Sequence, residues 1–231
     1  ALGRLVEADG SVDDPVAERQ AGDEREAELE RPVRLNDQRM DAVVAALKDS
    51  GAQRIADVGC GEGTLVRRLL KEQWVDHVGG FDVSWRSLER AARRLKLDEM
   101  APRQRARVDL HQGSLTYRDR RLADFDAIAL VEVIAHIDEE RLPAVEDAVF
   151  ADARPTTVVV TTPNAEYNAL FENLLDGSFR HGEHRFEWTR GEFEAWCERV
   201  AGRHGYEFVI SPIGPQDEQF GAPTQMAVFR R

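Results

Sequence analysis

Hydrophobic positions along the chain alternate between two rhythms. Met40, Val43, Val44 and Leu47 recur with a period of about 3.6, which predicts a helix that Gly51 ends. Ile55 and Val58 mark a short β-favouring run, and Leu65, Leu69 and Leu70 then return to helical spacing. A second strand over 77–84 reaches the acid Asp82 and leads into a helix over 86–97, with Ser84 or Ser87 available as its cap. After a polar connection over 101–106, residues 107–115 alternate as a third strand. Residues 125–131 are continuously apolar, as in a strand buried on both faces. A helix over 142–150 precedes a β-branched strand over 156–162, stopped by Pro163. An amphipathic helix over 190–206 turns Phe193, Trp196 and Val200 inward. Segments 206–211 and 225–230 close the chain as two strands joined through Gly214 and Pro215. Alternation that ends in two strands with no helix between them predicts an α/β fold. Its sheet is seven-stranded and mostly parallel, with helices on both faces and one antiparallel member.

The length of 231 residues suits one α/β domain with a full core. The net charge of −12 argues against a nucleic-acid partner only until its distribution is considered. Residues 1–30 hold ten acids against three arginines, which leaves −5 for the other 201 residues. That acidic, aromatic-free start reads as a solvated linker or arm, and residues 31–231 as the domain. A start of this kind, without Met, is expected in a piece of a longer protein. Three lysines, Lys48, Lys71 and Lys96, leave arginine as nearly all of the positive charge, and arginine is the better residue for bidentate phosphate contacts. Cys60 and Cys197 offer neither a disulfide framework nor a zinc spacing, no signal peptide is expected, and the sequence given has no apolar run of membrane-spanning length. A reducing, cytoplasmic setting is the expectation, without a membrane partner.

Candidate chemistry begins at residues 54–65, where a strand, a tight turn and a helix start meet. The glycines fall as Gly59-x-Gly61-x-Gly63, not Gly-x-Gly-x-x-Gly, and Asp57 lies two residues before the first. A carboxylate beside the turn suits a cationic or zwitterionic ligand better than a pyrophosphate, and the turn resembles motif I of the class I methyltransferases. Asp82, at the end of the second strand, is placed to accept hydrogen bonds from ribose hydroxyls, which NAD and S-adenosylmethionine share. Glu132 and His136 follow the fourth strand and should flank the same crevice. A helical turn there would put them on one face, as two ligands of one metal. Between the fifth strand and the last long helix lies 179–190, rich in His, Arg and aromatics. Thr189 can cap the helix and Phe186 and Trp188 can anchor the loop, whereas His181 and His184 with Arg180 and Arg185 read as metal ligation and phosphate contact.

Over residues 31–231 the chain resembles the Hen1 RNA 3′-terminal 2′-O-methyltransferases, and within them the bacterial branch. The resemblance runs through Arg31-Pro32-Val33, the glycine turn, Gln112-Gly113-Ser114-Leu115-Thr116-Tyr117-Arg118-Asp119 and Val131-Glu132-Val133-Ile134. It continues through Thr161-Thr162-Pro163-Asn164, with Glu166-Tyr167-Asn168, and His184-Arg185-Phe186-Glu187-Trp188-Thr189-Arg190. The glycine motif is common to many methyltransferases; the Thr-Thr-Pro-Asn and His-x-Phe-Glu-Trp-Thr-Arg motifs are far more specific. The resemblance implies a class I, Rossmann-like fold and methyl transfer from S-adenosylmethionine to the 2′-hydroxyl of an RNA's last nucleotide. It also implies a divalent ion, Mn²⁺ or Mg²⁺, held through Glu, Glu, His and His, and a polynucleotide kinase-phosphatase-ligase partner in bacterial RNA repair. Asp57, Gly59, Gly61, Asp82, Val83, Ser114, Leu115 and Val131 are the expected cofactor residues. Glu132, His136 and His184 are the expected catalytic and metal residues, and Arg180, His181 and Arg185 the expected RNA contacts. Ala135 stands where the family has its second Glu, so low metal occupancy and little methylation are expected, to be recovered by Ala135→Glu. A lysine-centred tetrad, the design of other ribose methyltransferases, does not suit three scattered lysines. Two alternatives stay open: a class I methyltransferase of another substrate, and a catalytically silent domain that binds RNA ends or a partner.

Overall fold

The computed structural model describes residues 22, 24, 26–30, 34–175 and 177–231. Helix α1 (Leu35–Asp49) precedes β1 (Arg54–Val58), α2 (Thr64–Leu69), β2 (His77–Asp82), α3 (Trp85–Leu95) and β3 (Val108–Gln112). Then come β4 (Ala127–Val131), α4 (Leu142–Glu146), β5 (Thr157–Pro163), α5 (Arg190–His204), β6 (Glu207–Ile213) and β7 (Thr224–Arg230). The strands form one sheet in the order β3-β2-β1-β4-β5-β7-β6. Neighbours from β3 through β5 are parallel, and β7 runs antiparallel to both β5 and β6. This is the expected class I methyltransferase sheet with its one antiparallel member.

The burial pattern explains the order. All seven residues of β5 are buried, as are Ala127 to Leu130 of β4, so these strands sit at the centre with helices on both faces. On one face Leu35, Val43, Leu47, Leu65 and Val66 pack against Ile55, Val78 and Val159. On the other, Phe150, Phe193, Trp196 and Phe229 pack with Val158 and Val160. Ser84 caps α3, accepting from the Ser87 amide at 3.2 Å. Thr189 and Glu192 form a capping box at the start of α5.

Several boundaries differ from the sequence pattern. Pro163 closes β5 and does not stop it early, because an antiparallel end position opposite Thr224 tolerates a missing N–H. The helix expected over 142–150 is α only to Glu146 and passes into a wider π-type stretch, Asp147–Ala153. The connection over 101–106 contains one helical turn, Pro102–Arg105, with Pro at its start. Most of the acidic stretch 1–30 lies outside the described residues, as do residues 31–33. Its described end is not a solvated arm: residues 26–30 are helical and Leu29 and Glu30 are buried. Among the described residues no helix is long and apolar enough to cross a membrane.

Candidate active site

The order reverses between β1 and β4, and the crevice beyond their carboxyl ends collects most of the residues of interest. Gly59, just after β1, has φ of 80°, and a Cβ there would stand 2.4 Å from Val133 Cγ2, so the turn closes only on glycine. The Gly59 and Cys60 amides both donate to the Phe81 carbonyl, at 2.7 and 3.0 Å, which ties the turn to β2. Beside Gly61 the space is open, with nothing within 4 Å of where a Cβ would stand. The Gly61 amide donates to Asp82 Oδ2 and the Ser84 amide to Asp82 Oδ1, both at 2.8 Å. Two backbone donors thus fix the Asp82 carboxylate, whose remaining lone pairs face a cavity of about 650 Å³.

Gly59, Gly61, Asp82, Val83, Ser114 and Leu115 line that cavity, as expected of cofactor residues. Asp57 and Val131 are not on its wall. Side chains alternate along a strand, and Asp57 turns to α2, where its carboxylate accepts the Val66 amide. Burial, with the neighbouring charge of Asp82, pushes the Asp57 carboxyl up to about 7. Val131 packs into the core against the face that holds Leu65 and Val159.

Glu132 and His136 line the far end of the same cavity but do not share a helical face. Glu132 has φ of 57° and precedes the short 3₁₀ turn Ile134–His136. Its Oε1 accepts from the Thr161 hydroxyl at 2.8 Å and pairs with Arg39 Nε at 3.0 Å. Its Oε2 is buried and has no hydrogen-bond partner among the described residues. The ring of His136 instead meets those of His184 and His181, with centroids 4.7 and 5.0 Å away. One nitrogen from each of the three rings lies within 4.8 Å of the others. His181, expected to touch RNA, is therefore a member of a three-imidazole group.

The loop that supplies two of these rings is held from behind. His184 Nδ1 lies 2.6 Å from Glu187 Oε1, which also accepts the Arg180 amide at 2.7 Å. Burial opposes the negative charge on Glu187, yet hydrogen bonds from His184 and Asn168 and the charge of Arg180 hold its carboxyl below the ordinary range. A carboxylate at Nδ1 sets the tautomer and leaves the Nε2 lone pair for a ligand. His184 Nε2 is buried with no hydrogen-bond partner among the described residues. The imidazoles, with the unpartnered Glu132 Oε2 on the same cavity wall, fit a divalent first-row ion.

Arg180 is not at the surface. It is fully buried, with Nε on Asn168 Oδ1 at 2.7 Å, Nη2 on the carbonyls of Asn164 and Pro223, and its guanidinium 5.0 Å over the Phe171 ring. It organises the loop and cannot reach a phosphate. Arg185 is exposed and pairs loosely with Asp138 at 3.4 Å, while its amide donates to the Ala135 carbonyl at 2.7 Å.

Composition and spacing missed Arg39, Glu30 and Glu26. Arg39 is buried, donates to Glu30 Oε1 at 2.8 Å and bridges to Glu132. Burial works against its charge, and Glu132, Glu30 and Glu26 outweigh that effect, so its guanidinium is held above its ordinary value. The carboxyl of Glu26, which lines the cavity, is pushed up to about 8 by burial and by Glu30 and Glu132. Asn168 and Glu187 stood in recognised motifs, but their partnership with Arg180 and His184 carried no signal in spacing.

A family described as "Methyltransferase domain" matches residues 55–156. Small RNA 2′-O-methyltransferases are similar to this chain. That of Mus musculus is 35% identical over 186 residues, covering 78% of this chain and 46% of that protein. That of Gallus gallus is 31% identical over 202 residues, covering 84% of this chain and 53% of that protein. The chain thus spans about half the length of these relatives. Among solved structures, the methyltransferase domain of bacterial CtHen1 superposes with a TM-score of 0.79 at 49% identity, covering 85% of this chain and all of that one. The small RNA methyltransferase HEN1 gives 0.77 at 31% identity, with 85% of this chain covered and 25% of that one. With the glycine turn, Asp82 and the histidine loop in these positions, the chain belongs to the Hen1 methyltransferases, in their bacterial branch.

Proposed function

We propose that this chain transfers the methyl group of S-adenosylmethionine to the 2′-hydroxyl of the 3′-terminal nucleotide of an RNA, assisted by Mn²⁺. The observation that carries this reading is the placement of His136 on the wall of the cavity that Gly59, Gly61 and Asp82 also line, with His181 and His184 against it. The bare backbone at Gly59 and Gly61 admits the cofactor's tail, and Asp82 accepts from its ribose hydroxyls. Because β1 and β4 are hydrogen-bonded neighbours, the donor held after β1 and an acceptor held after β4 meet across one crevice, as methyl transfer requires. A divalent cation on His136, His181 and His184 would supply the Lewis acidity that makes a ribose hydroxyl a nucleophile near neutral pH. Glu187 holds the His184 ring so that Nε2 faces this acceptor side, and exposed Arg185 offers a guanidinium to the adjacent phosphate.

The remaining donors reduce the weight of Ala135. With His181 beside them, His136, His184 and Glu132 Oε2, which has no hydrogen-bond partner among the described residues, remain as donors after the loss of one carboxylate, while His181 Nδ1 accepts the Glu183 amide at 3.0 Å. The catalytically silent reading is decided by whether the chain binds Mn²⁺. A cytoplasmic repair role beside a kinase-phosphatase-ligase partner belongs to the same proposal, rests on the family resemblance, and is tested by co-purification. The direct test of the activity is transfer of labelled methyl to RNAs that end in ribose or 2′-deoxyribose, with and without Mn²⁺. Incorporation is expected only with the 2′-hydroxyl and Mn²⁺ together; equal labelling of the deoxy end would reject the assigned acceptor.

A further inference from the structure

The two loops that close the cofactor end of the cavity carry residues for which the cofactor has no use. β2 and β3 are parallel neighbours with Asp82 beside Gln112. The Gly113 amide donates to the Asp82 carbonyl and Gln112 Nε2 to the Val83 carbonyl, both at 3.0 Å, so the segments that follow the two strands are tied together. Each segment holds a large aromatic ring in solvent at the rim. Trp85, between the lining residues Ser84 and Arg86, is 59% exposed, and Tyr117, next to the lining residue Thr116, is 74% exposed. Neither ring packs on another aromatic or makes a hydrogen bond among the described residues. Exposed apolar surface gathered at one mouth marks a place where something docks.

Charge identifies the visitor. Residues 84–96 hold Arg86, Arg90, Arg93, Arg94 and Lys96 against Glu89 alone, in a chain whose net charge is −12. Arg90 and Arg94 are neutralised by Glu62, and Arg118 of the Tyr117 loop pairs with Asp152. Arg86 lines the cavity, is exposed, and has no carboxylate partner among the described residues. S-adenosylmethionine carries an ammonium and a sulfonium against one carboxylate, so an unpaired guanidinium at its cavity repels it and suits an anion. Beyond the far end of the cavity, His136 and Ile137 run instead into exposed Asp138, Glu139 and Glu140. A polyanion whose end sits at His136 meets carboxylates in one direction, and Arg86 with two open rings in the other.

We propose that the single-stranded RNA just upstream of the terminal nucleotide crosses the mouth of the cavity, over the bound cofactor, and is held on this rim, with bases stacked on Trp85 and Tyr117 and a phosphate on Arg86. The inference deepens the RNA-end reading above and rests on it. Stacking platforms read little sequence, because every base offers a π face. An enzyme built this way accepts 3′ ends of many sequences and favours those whose unpaired tail is long enough to reach the rim. The Gln112–Asp119 motif is then divided between two ligands: Gly113 and Ser114 face the cofactor, and Tyr117 faces the RNA.

The test uses the full chain loaded with S-adenosylhomocysteine and two RNAs that share a 3′ end, a dinucleotide and an unpaired decamer. Trp85→Ala and Tyr117→Ala should each weaken the decamer by at least about fivefold, the lower end for one base–aromatic stack. Both should leave the dinucleotide and S-adenosylhomocysteine at parental affinity. Arg86→Ala should reduce the salt slope of decamer binding by about 0.7, one phosphate on a single strand. Trp85→Phe keeps a stacking face and should bind the decamer as the parent does. Of the four tryptophans Trp85 is the exposed one, so the decamer should quench the parent's indole fluorescence and leave that of Trp85→Phe unchanged. A smaller decamer loss in either Ala variant, or an equal loss with the dinucleotide, would overturn the proposal and leave the assigned acceptor standing. A parent that binds no RNA would remove the RNA-end reading, and the proposal with it. Should an Ala variant also lose S-adenosylhomocysteine, the quench decides: its presence in the parent and absence in Trp85→Phe uphold the rim, and its absence in the parent overturns it. Competition by polyglutamate as strong as by the decamer would give the rim to an acidic protein segment and overturn the proposal.

Discussion

Arg180→Ala is expected to destabilise the fold, because Arg180 is buried among the Asn168 side chain, the Asn164 and Pro223 carbonyls and the Phe171 ring, 3.6 Å from Glu30, and does not face an RNA phosphate. Replacing it by Ala takes the donor from Asn168 Oδ1 and one of two donors from each of the Asn164 and Pro223 carbonyls, which keep the Tyr167 and Asn164 amides, and leaves Glu30 with Arg39. Its hydrogen bonds are not additive, so the useful scale is that of breaking a buried, hydrogen-bonded charge: about 3–5 kcal/mol. In a chain of this size that corresponds to a fall of roughly 10 °C in melting temperature. Arg180→Lys keeps the charge but not the planar fork, and should recover only part of the loss. The assay is urea denaturation of parent and variants, with RNA binding measured against salt on the folded fraction. A loss below about 1 kcal/mol, together with a salt slope reduced by one phosphate, about 0.7 for a single strand, would show that Arg180 is at the RNA surface and that its buried contacts are wrong.

Arg185→Ala should do the reverse, since its side chain is 60% exposed: stability within about 0.5 kcal/mol of the parent and a shallower salt dependence of RNA binding. Unchanged RNA binding would take the loop out of the interface. Asp82→Ala should weaken S-adenosylhomocysteine by about 1.5–3 kcal/mol, read by calorimetry; equal affinity would remove Asp82 from the cofactor site. Asp57 titrates near 7 when folded against 3.8 for an unperturbed carboxyl, so the folded chain holds its proton where the unfolded chain has lost it. Stability therefore falls as pH rises through that window, by on the order of 4 kcal/mol. Cofactor-free Asp57→Asn should escape this fall in urea titrations at about pH 5 and pH 8, and a loss equal to the parent's would mean Asp57 is ionised throughout. Glu187→Ala, which releases the His184 ring, should cost about 10–100-fold in Mn²⁺ affinity; undiminished affinity would detach Glu187 from the centre.

Where local physics decided the outcome, the pattern of residues carried it. The apolar run 125–131 became the buried strand β4, the Thr189 cap formed, and the Gly59 turn closed against Val133 as a glycine-only position would. What stayed illegible depends on partners distant in the chain. Arg39 meets Glu132 across 93 positions and Arg180 meets Glu30 across 150, pairings to which no periodicity points. Composition averaged the 1–30 stretch into a solvated arm because ten acids were counted without the two buried arginines that receive Glu30. Arg180 and His181, neighbours in an aperiodic loop, were both assigned to RNA; the backbone sends one into the interior and the other to the histidine group. Motif membership points Asp57 and Val131 at the cofactor, but strand alternation turns both away from the cavity.

A methyl group on the 2′-oxygen of the terminal ribose has a direct chemical readout. Periodate cleaves a vicinal 2′,3′-diol, and base then removes the last nucleotide; a methyl on the 2′-oxygen blocks both steps. An RNA with a free 3′ end, incubated with the full chain, S-adenosylmethionine and Mn²⁺, should keep its length through periodate and base treatment, whereas the same RNA without the cofactor should shorten by one nucleotide. Shortening of an RNA that has demonstrably taken up labelled methyl would place the modification elsewhere and contradict the account.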